Sequence, residues 1–151
     1  MKTLLYSLSL LILTMVVSYN CPDCTTPPES IALRIIDNTD STDLIFRGRY
    51  SSDTMIVYYF ENNIRKEVKL EIVSDTIKKQ SVIYSNEIGW ISAAGTKEYF
   101  LYLNHHETDT IYLDYEEKSD RCCTTFLCKE FSINGTELQR DNIDFLYYYF
   151  K

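Results

Sequence analysis

Apolar and polar residues alternate along most of this chain with a period of two. Ile31, Leu33 and Ile35 share one face, Val68, Leu70 and Ile72 stand against Lys69 and Glu71, and Ile111, Leu113 and Tyr115 stand against Thr110 and Asp114. That period places alternate side chains on one face of an extended backbone, so each segment reads as a half-buried β-strand. Residues 55–60 and 98–104 are denser in β-branched and aromatic side chains, as expected where both faces are covered. Turn chemistry separates these runs: Asp37 to Asp43, Glu61 to Asn63, Ser74 to Thr76, Asn104 to Asp109, and Asn134-Gly135. Asn134-Gly135 is the most specific, because a type I′ turn needs positive φ at both central residues; it predicts a hairpin between 130–133 and 136–138.

No stretch shows a sustained 3.6-residue apolar stripe behind a capping residue. Thr76 to Tyr84 comes closest, and its Val82-Ile83-Tyr84 favours strand. The predicted fold class is all-β: an immunoglobulin-like β-sandwich of about seven or eight short strands, with a partly open barrel as second choice. Trp90 is expected in its core. Residues 22–30, rich in Pro and Thr, have no apolar periodicity and read as a tether.

Ahead of that tether, Leu4 to Val17 is apolar and uncharged and follows the single positive side chain of Lys2, the layout of an export signal. Fourteen helical residues span roughly 21 Å, short of the roughly 30 Å hydrocarbon core of a bilayer, so a permanent span is the weaker reading. The expected organisation is a signal at 1–20, a tether at 21–30 and one β-sandwich domain at 31–151. Cleavage before Cys21 makes that thiol the site of lipidation; cleavage after Ser18 releases a soluble secreted protein.

The chain carries 15 Lys and Arg against 22 Asp and Glu, a formal charge of -7, with no basic run. Nucleic acid is therefore not an expected partner. An acidic exterior also repels anionic lipid, so membrane attachment would come through acyl chains. Only 4 Gly among 151 residues leave little room for a phosphate-cradling loop, and no cofactor is expected.

Five cysteines, Cys21, Cys24, Cys122, Cys123 and Cys128, stand in a chain that is expected to leave the cytosol. With Cys21 lipidated, four remain, and adjacent cysteines do not easily reach unstrained disulfide geometry. Two pairings follow: Cys24 with Cys122 or with Cys123, the other joining Cys128. Cys21-Pro22-Asp23-Cys24 is a C-x-x-C with no strand before it and no helix behind it to activate a thiolate. A zinc site drawing on Cys24, Cys122, Cys123 and Cys128 with His105 or His106 lacks the paired-knuckle spacing.

Other candidates have plain structural readings. His105 and His106, beside Glu107 and Asp109, fall at a hairpin tip. Asp37, Asp40 and Asp43 lack the Gly and Glu that an EF-hand needs and read as an acidic turn, with a looser calcium site as the sharper alternative. A catalytic pairing of Cys128 with His105 assumes more than disulfide use of Cys128 does. Asn134-Gly135-Thr136 is a glycosylation sequon, without meaning in a bacterial lipoprotein. The segment Asp144 to Phe150 carries five aromatics in seven residues; alternate ones on a terminal strand fill a core, and Tyr147, Tyr148 and Tyr149 are the candidate binding surface.

Taken together, a signal ending near Cys21, a Cys- and Thr-Pro-containing tether, the opening strand Ile31 to Asp37, the strand Asp109 to Tyr115, Cys122-Cys123 and a closing 131–136 hairpin resemble the small lipoproteins common in the Bacteroidetes. The resemblance implies address and fold, and no activity. The reading is of a non-enzymatic, cell-envelope protein, lipid-anchored in the membrane, that binds or scaffolds a protein or glycan partner. The alternative is a soluble secreted metal-binding or Cys-dependent enzyme.

Overall fold

A computed structural model describes residues 24–120 and 123–151. Eleven strands and one short helix follow in chain order: β1 Cys24–Thr26, β2 Ile31–Ile36, β3 Ile56–Glu61, β4 Ile64–Val68, β5 Glu71–Asp75, β6 Gln80–Ser85, α1 Glu87–Ala93, β7 Glu98–Asn104, β8 Glu107–Asp120, β9 Cys123–Ile133, β10 Thr136–Glu137 and β11 Tyr147–Phe150. They form two sheets, β1-β9-β8-β7-β3-β4, with β10 also on β9, and β11-β2-β6-β5. The fold is an all-β sandwich, and no closed barrel forms among the described residues.

Seven of these strands reproduce the order of an immunoglobulin domain. β2-β6-β5 stand as B-E-D and β4-β3-β7-β8 as C′-C-F-G, every neighbouring pair antiparallel. β9, β1 and β10 extend the second sheet past the G position, and β11 runs parallel to β2 on the far edge of the first. Tyr99, at the start of β7, completes the likeness. Its buried hydroxyl shares a hydrogen bond with Ser92 Oγ (2.7 Å) and reaches back to the carbonyls of Thr96 (3.1 Å) and Ile88 (3.4 Å), the arrangement of a tyrosine corner.

The core lies between the inner faces, where Leu33 and Ile35 of one sheet meet Tyr99, Leu101, Leu103, Leu113 and Ile133 of the other. Alternation makes this possible: in β7 every second residue is buried. Each such side chain contributes about 1.5–3 kcal/mol. Type I′ geometry ties the hairpins, with positive φ at Asn62 (50°) and Asn63 (62°) between β3 and β4, and at Asn134 (51°) and Gly135 (76°) between β9 and β10.

Four expectations need correction. Trp90 is 47% exposed on α1, edge-on to Phe126 with centroids 5.9 Å apart. A seven-residue helix is too short to write a 3.6-residue stripe, and Ile88 and Ser92, not Trp90, take its buried face. The run from Val68 to Ile72 is two strands: the chain changes sheets at Lys69-Leu70, where Ser85 Oγ donates to the Lys69 carbonyl (2.9 Å) and Glu87 accepts the Lys69 N–H (2.6 Å). β3 and β7 are each fully covered on one face only; in β7 Tyr99, Leu101 and Leu103 are buried while Phe100 and Tyr102 are half-buried. Tyr58 and Phe60 lie outside, on Phe100, with Arg65 over the Tyr58 ring at 4.1 Å. Part of the tether is strand as well: β1 pairs parallel with β9, and Glu29 is held by Tyr115 and Arg140 (2.6 and 2.5 Å).

Candidate functional site

The pole that carries the β2–β3 loop, the β7–β8 tip and the end of β11 contains an open cleft of about 830 Å³. Its floor is built around Lys151. The ammonium lies 2.6 Å from Glu107 and 2.5 Å from Asp109, with the Tyr149 and Tyr50 rings 5.2 and 5.9 Å away. Backbone pairing fixes it there, since the Lys151 N–H continues the β11–β2 ladder to the Ile36 carbonyl (2.9 Å). Asn134, held in the left-handed region by the type I′ turn, accepts from the Thr110 N–H (2.8 Å) and donates to Asp109 (2.7 Å) and the Tyr149 hydroxyl (3.1 Å). Tyr50 donates to Glu107 (2.9 Å). Arg47, Arg49, Asp37 and the half-exposed ring of Phe150 complete the walls.

The side chains of the cleft are charge-balanced, three acidic (Asp37, Glu107, Asp109) against three basic (Arg47, Arg49, Lys151). Burial works against the charged forms of Lys151 and Glu107. Their hydrogen bonds outweigh it, raising the lysine above its ordinary value and lowering the glutamate below its own. Burial pushes Tyr50 and Tyr149 up. Lys151 therefore stays protonated and Glu107 ionised across neutral pH.

The β2–β3 loop that forms one wall is pinned by Asp43. This buried carboxylate accepts from Ile45 N–H (3.1 Å), Phe46 N–H (2.9 Å), Ser81 N–H (3.0 Å) and Arg34 Nε (3.2 Å). Four donors saturate its oxygens. Asp37 and Asp40 each accept from the threonine two residues on and share the Arg47 guanidinium (3.9 and 2.8 Å), while the Asp43 oxygens are taken up by their four donors, so the three carboxylates do not form a calcium cage.

Cys24 is disulfide-bonded to Cys123, Cα to Cα 4.8 Å, across 99 positions. That matches one of the two expected pairings for Cys24. Cys21 and Cys122 lie outside the described residues. The expected second bridge to Cys128 is a correction: Cys128 is a free thiol within extended β9, about 16 Å along the strand from Cys123 at roughly 3.3 Å per residue. Burial raises its pKa, and it faces Tyr147. His105 sits with His106 in the two-residue tip between Asn104 and Glu107, whereas Cys128 pairs with Tyr115, eight residues down β8; roughly 27 Å separates the two levels, so they form no catalytic pair.

The aromatic segment is also corrected as a binding surface. Tyr147 and Tyr149 are buried in the core (7% and 8% exposed), and Tyr148 is half-buried beneath Arg34 with its hydroxyl on Asp144. Only the Tyr149 hydroxyl and Phe150 reach the cleft.

The cleft itself was missed in the sequence. One signal was present: Asp109 falls in the apolar register of Ile111 and Leu113, and a carboxylate on an inward position calls for a buried cation. No family model, no curated protein and no solved structure matches this chain.

Proposed function

We propose that the chain is an exported domain, lipid-anchored through Cys21 in a bacterial cell envelope, that binds a neutral glycan in the Lys151 cleft. The Cys24–Cys123 bond is what an oxidising, extracytoplasmic compartment produces. No helix among the described residues is long and apolar enough to cross a membrane. The observation that carries the binding reading is the cleft's charge balance in a chain of net charge -7. Carboxylate, amide and ammonium groups fixed by one another offer donors and acceptors to sugar hydroxyls without selecting a net charge. The Phe150 ring offers an apolar face to a sugar's C–H groups.

The cleft lies at the pole opposite Cys24, so an anchor at Cys21 presents it away from the membrane. Intact mass of the mature protein from its native host tests the address, with acyl mass on Cys21 expected. A panel of neutral and charged oligosaccharides tests the site. A neutral ligand whose affinity changes little between low and high salt, and falls at least about tenfold in Phe150→Ala, is expected. Retention of charged ligands alone, with steep salt dependence, would refute it.

A further inference from the structure

We infer that the pole from which the N-terminal segment leaves rests on the surface of a zwitterionic bilayer, with Trp90 seated at the lipid–water interface. Large apolar side chains exposed to solvent gather there. Phe60 and Ile64 flank the β3–β4 turn, Trp90 projects from α1, Leu127 stands on β9 beyond its bulge, and Ile143 and Phe145 lie in the loop before β11. Ile143 is 89% exposed.

What covers this pole follows from the chain that leads to it, and the step rests on the reading of Cys21 as the lipidated residue. Cys24 is fixed to β9 by strand pairing and by its disulfide. Three residues of extended chain reach at most about 11 Å. A lipid on Cys21 therefore holds the Cys24 end of the β8–β9 arm within that distance of the headgroups, and Trp90, packed on Phe126 three residues along β9 from Cys123, lies roughly 10 Å further along the arm, too short a tether for that face to stand clear of them. Tryptophan, apolar in body and with one N–H donor, favours that interface, and aliphatic and aromatic neighbours add area to it. Across residues 116–130 the sequence sets four acidic side chains against three basic ones, so the arm has no positive excess that would favour anionic over zwitterionic lipid.

Trp90 is the chain's only tryptophan, which makes its fluorescence a site-specific reading. The mature protein, isolated from membranes, is reconstituted in phosphatidylcholine vesicles with plain or brominated acyl chains. The expected result is roughly twofold weaker emission with the brominated lipid, together with reduced quenching by acrylamide. Ile143→Ser/Phe145→Ser, both exposed, should restore acrylamide access to Trp90 without loss of fold. Vesicle-bound protein with equal emission in both lipids overturns the inference. So does Trp90 shielding that rises with protein concentration in the absence of vesicles, which assigns the face to a second copy. Intact mass separates the two readings. Acylated Cys21 with unquenched Trp90 leaves the anchor standing and removes the docking; unmodified Cys21 with Trp90 quenched on mixing does the reverse.

Discussion

Removing the Cys24–Cys123 bond tests how the N-terminal segment stays on the sandwich. The perturbation is Cys24→Ser/Cys123→Ser, because a single change would leave Cys123 free beside Cys122. Neither cysteine is buried, Cys123 being exposed and Cys24 partly so, and the replacement is nearly isosteric; lost packing contributes little. What changes is the unfolded chain. A bond across 99 positions closes a loop whose lost entropy, in the chain-entropy model, is roughly 4.7 kcal/mol. Against that, β1 is only three residues long, while Glu29 remains held by Tyr115 and Arg140 without the bond. The native state should therefore survive with β1 frayed, and the loss should fall at about 3–4.7 kcal/mol. In urea, with a slope of about 1–3 kcal/mol/M, the midpoint should drop by roughly 1–5 M. The slope should rise, since an unlinked chain exposes more surface on unfolding. Trp90 fluorescence and far-ultraviolet circular dichroism should agree. Coinciding midpoints with unchanged slopes would refute the closure argument.

Tyr99→Phe should cost about 1–3 kcal/mol by leaving Ser92 and the carbonyls around it short of a donor; adding Ser92→Ala should recover part of that, read as thermal midpoints. Gly89→Ala sets about 1 kcal/mol of helix propensity against a Cβ placed 3.0 Å from the Glu29 carbonyl and 3.1 Å from Pro28 Cβ; since one neighbour is backbone, the steric cost wins and the variant should lose about 1–3 kcal/mol in urea melts. Acid should destabilise the fold. Hydrogen bonds from Thr39, Thr42 and Tyr148 hold Asp37, Asp40 and Asp144 below ordinary carboxylate values, and Glu107 is also lowered, by Lys151 and Tyr50 against burial. Their contribution is present above the unfolded values near 4 and is lost as pH falls through the lower folded ones, so urea midpoints should be level from pH 7 to about 5.5 and fall below about pH 4.

The strands were legible because their signal is local. Period-two runs place β2 and β8, aromatic and β-branched density places β7, and Asn-Gly chemistry places the β9–β10 hairpin, all without knowledge of partners. What escaped depends on distant packing. α1 is one helical turn longer than a single repeat, and its inward face is decided by Glu29 and Tyr115 lying against Gly89. The sheet change at Lys69 is written in Ser85 and Glu87, far along the chain. The cleft draws Tyr50, Asp109, Asn134 and Lys151 from four separate segments, and only Asp109 broke the pattern of its own strand.

The parallel pairing of β11 with β2 has a consequence for biosynthesis. Tyr147 lies beside Leu33, with nearly the whole sandwich between them in sequence. Until β11 has been made, β2 keeps a bare hydrogen-bonding edge in the four-stranded sheet, and Phe131 lacks the Tyr147 ring that packs edge-on against it at 4.7 Å. A nascent chain therefore cannot seal itself strand by strand as it emerges. It closes late, through contacts of long sequence separation that form slowly. That order of events keeps the sandwich open, with one edge unpaired, until β11 is in place.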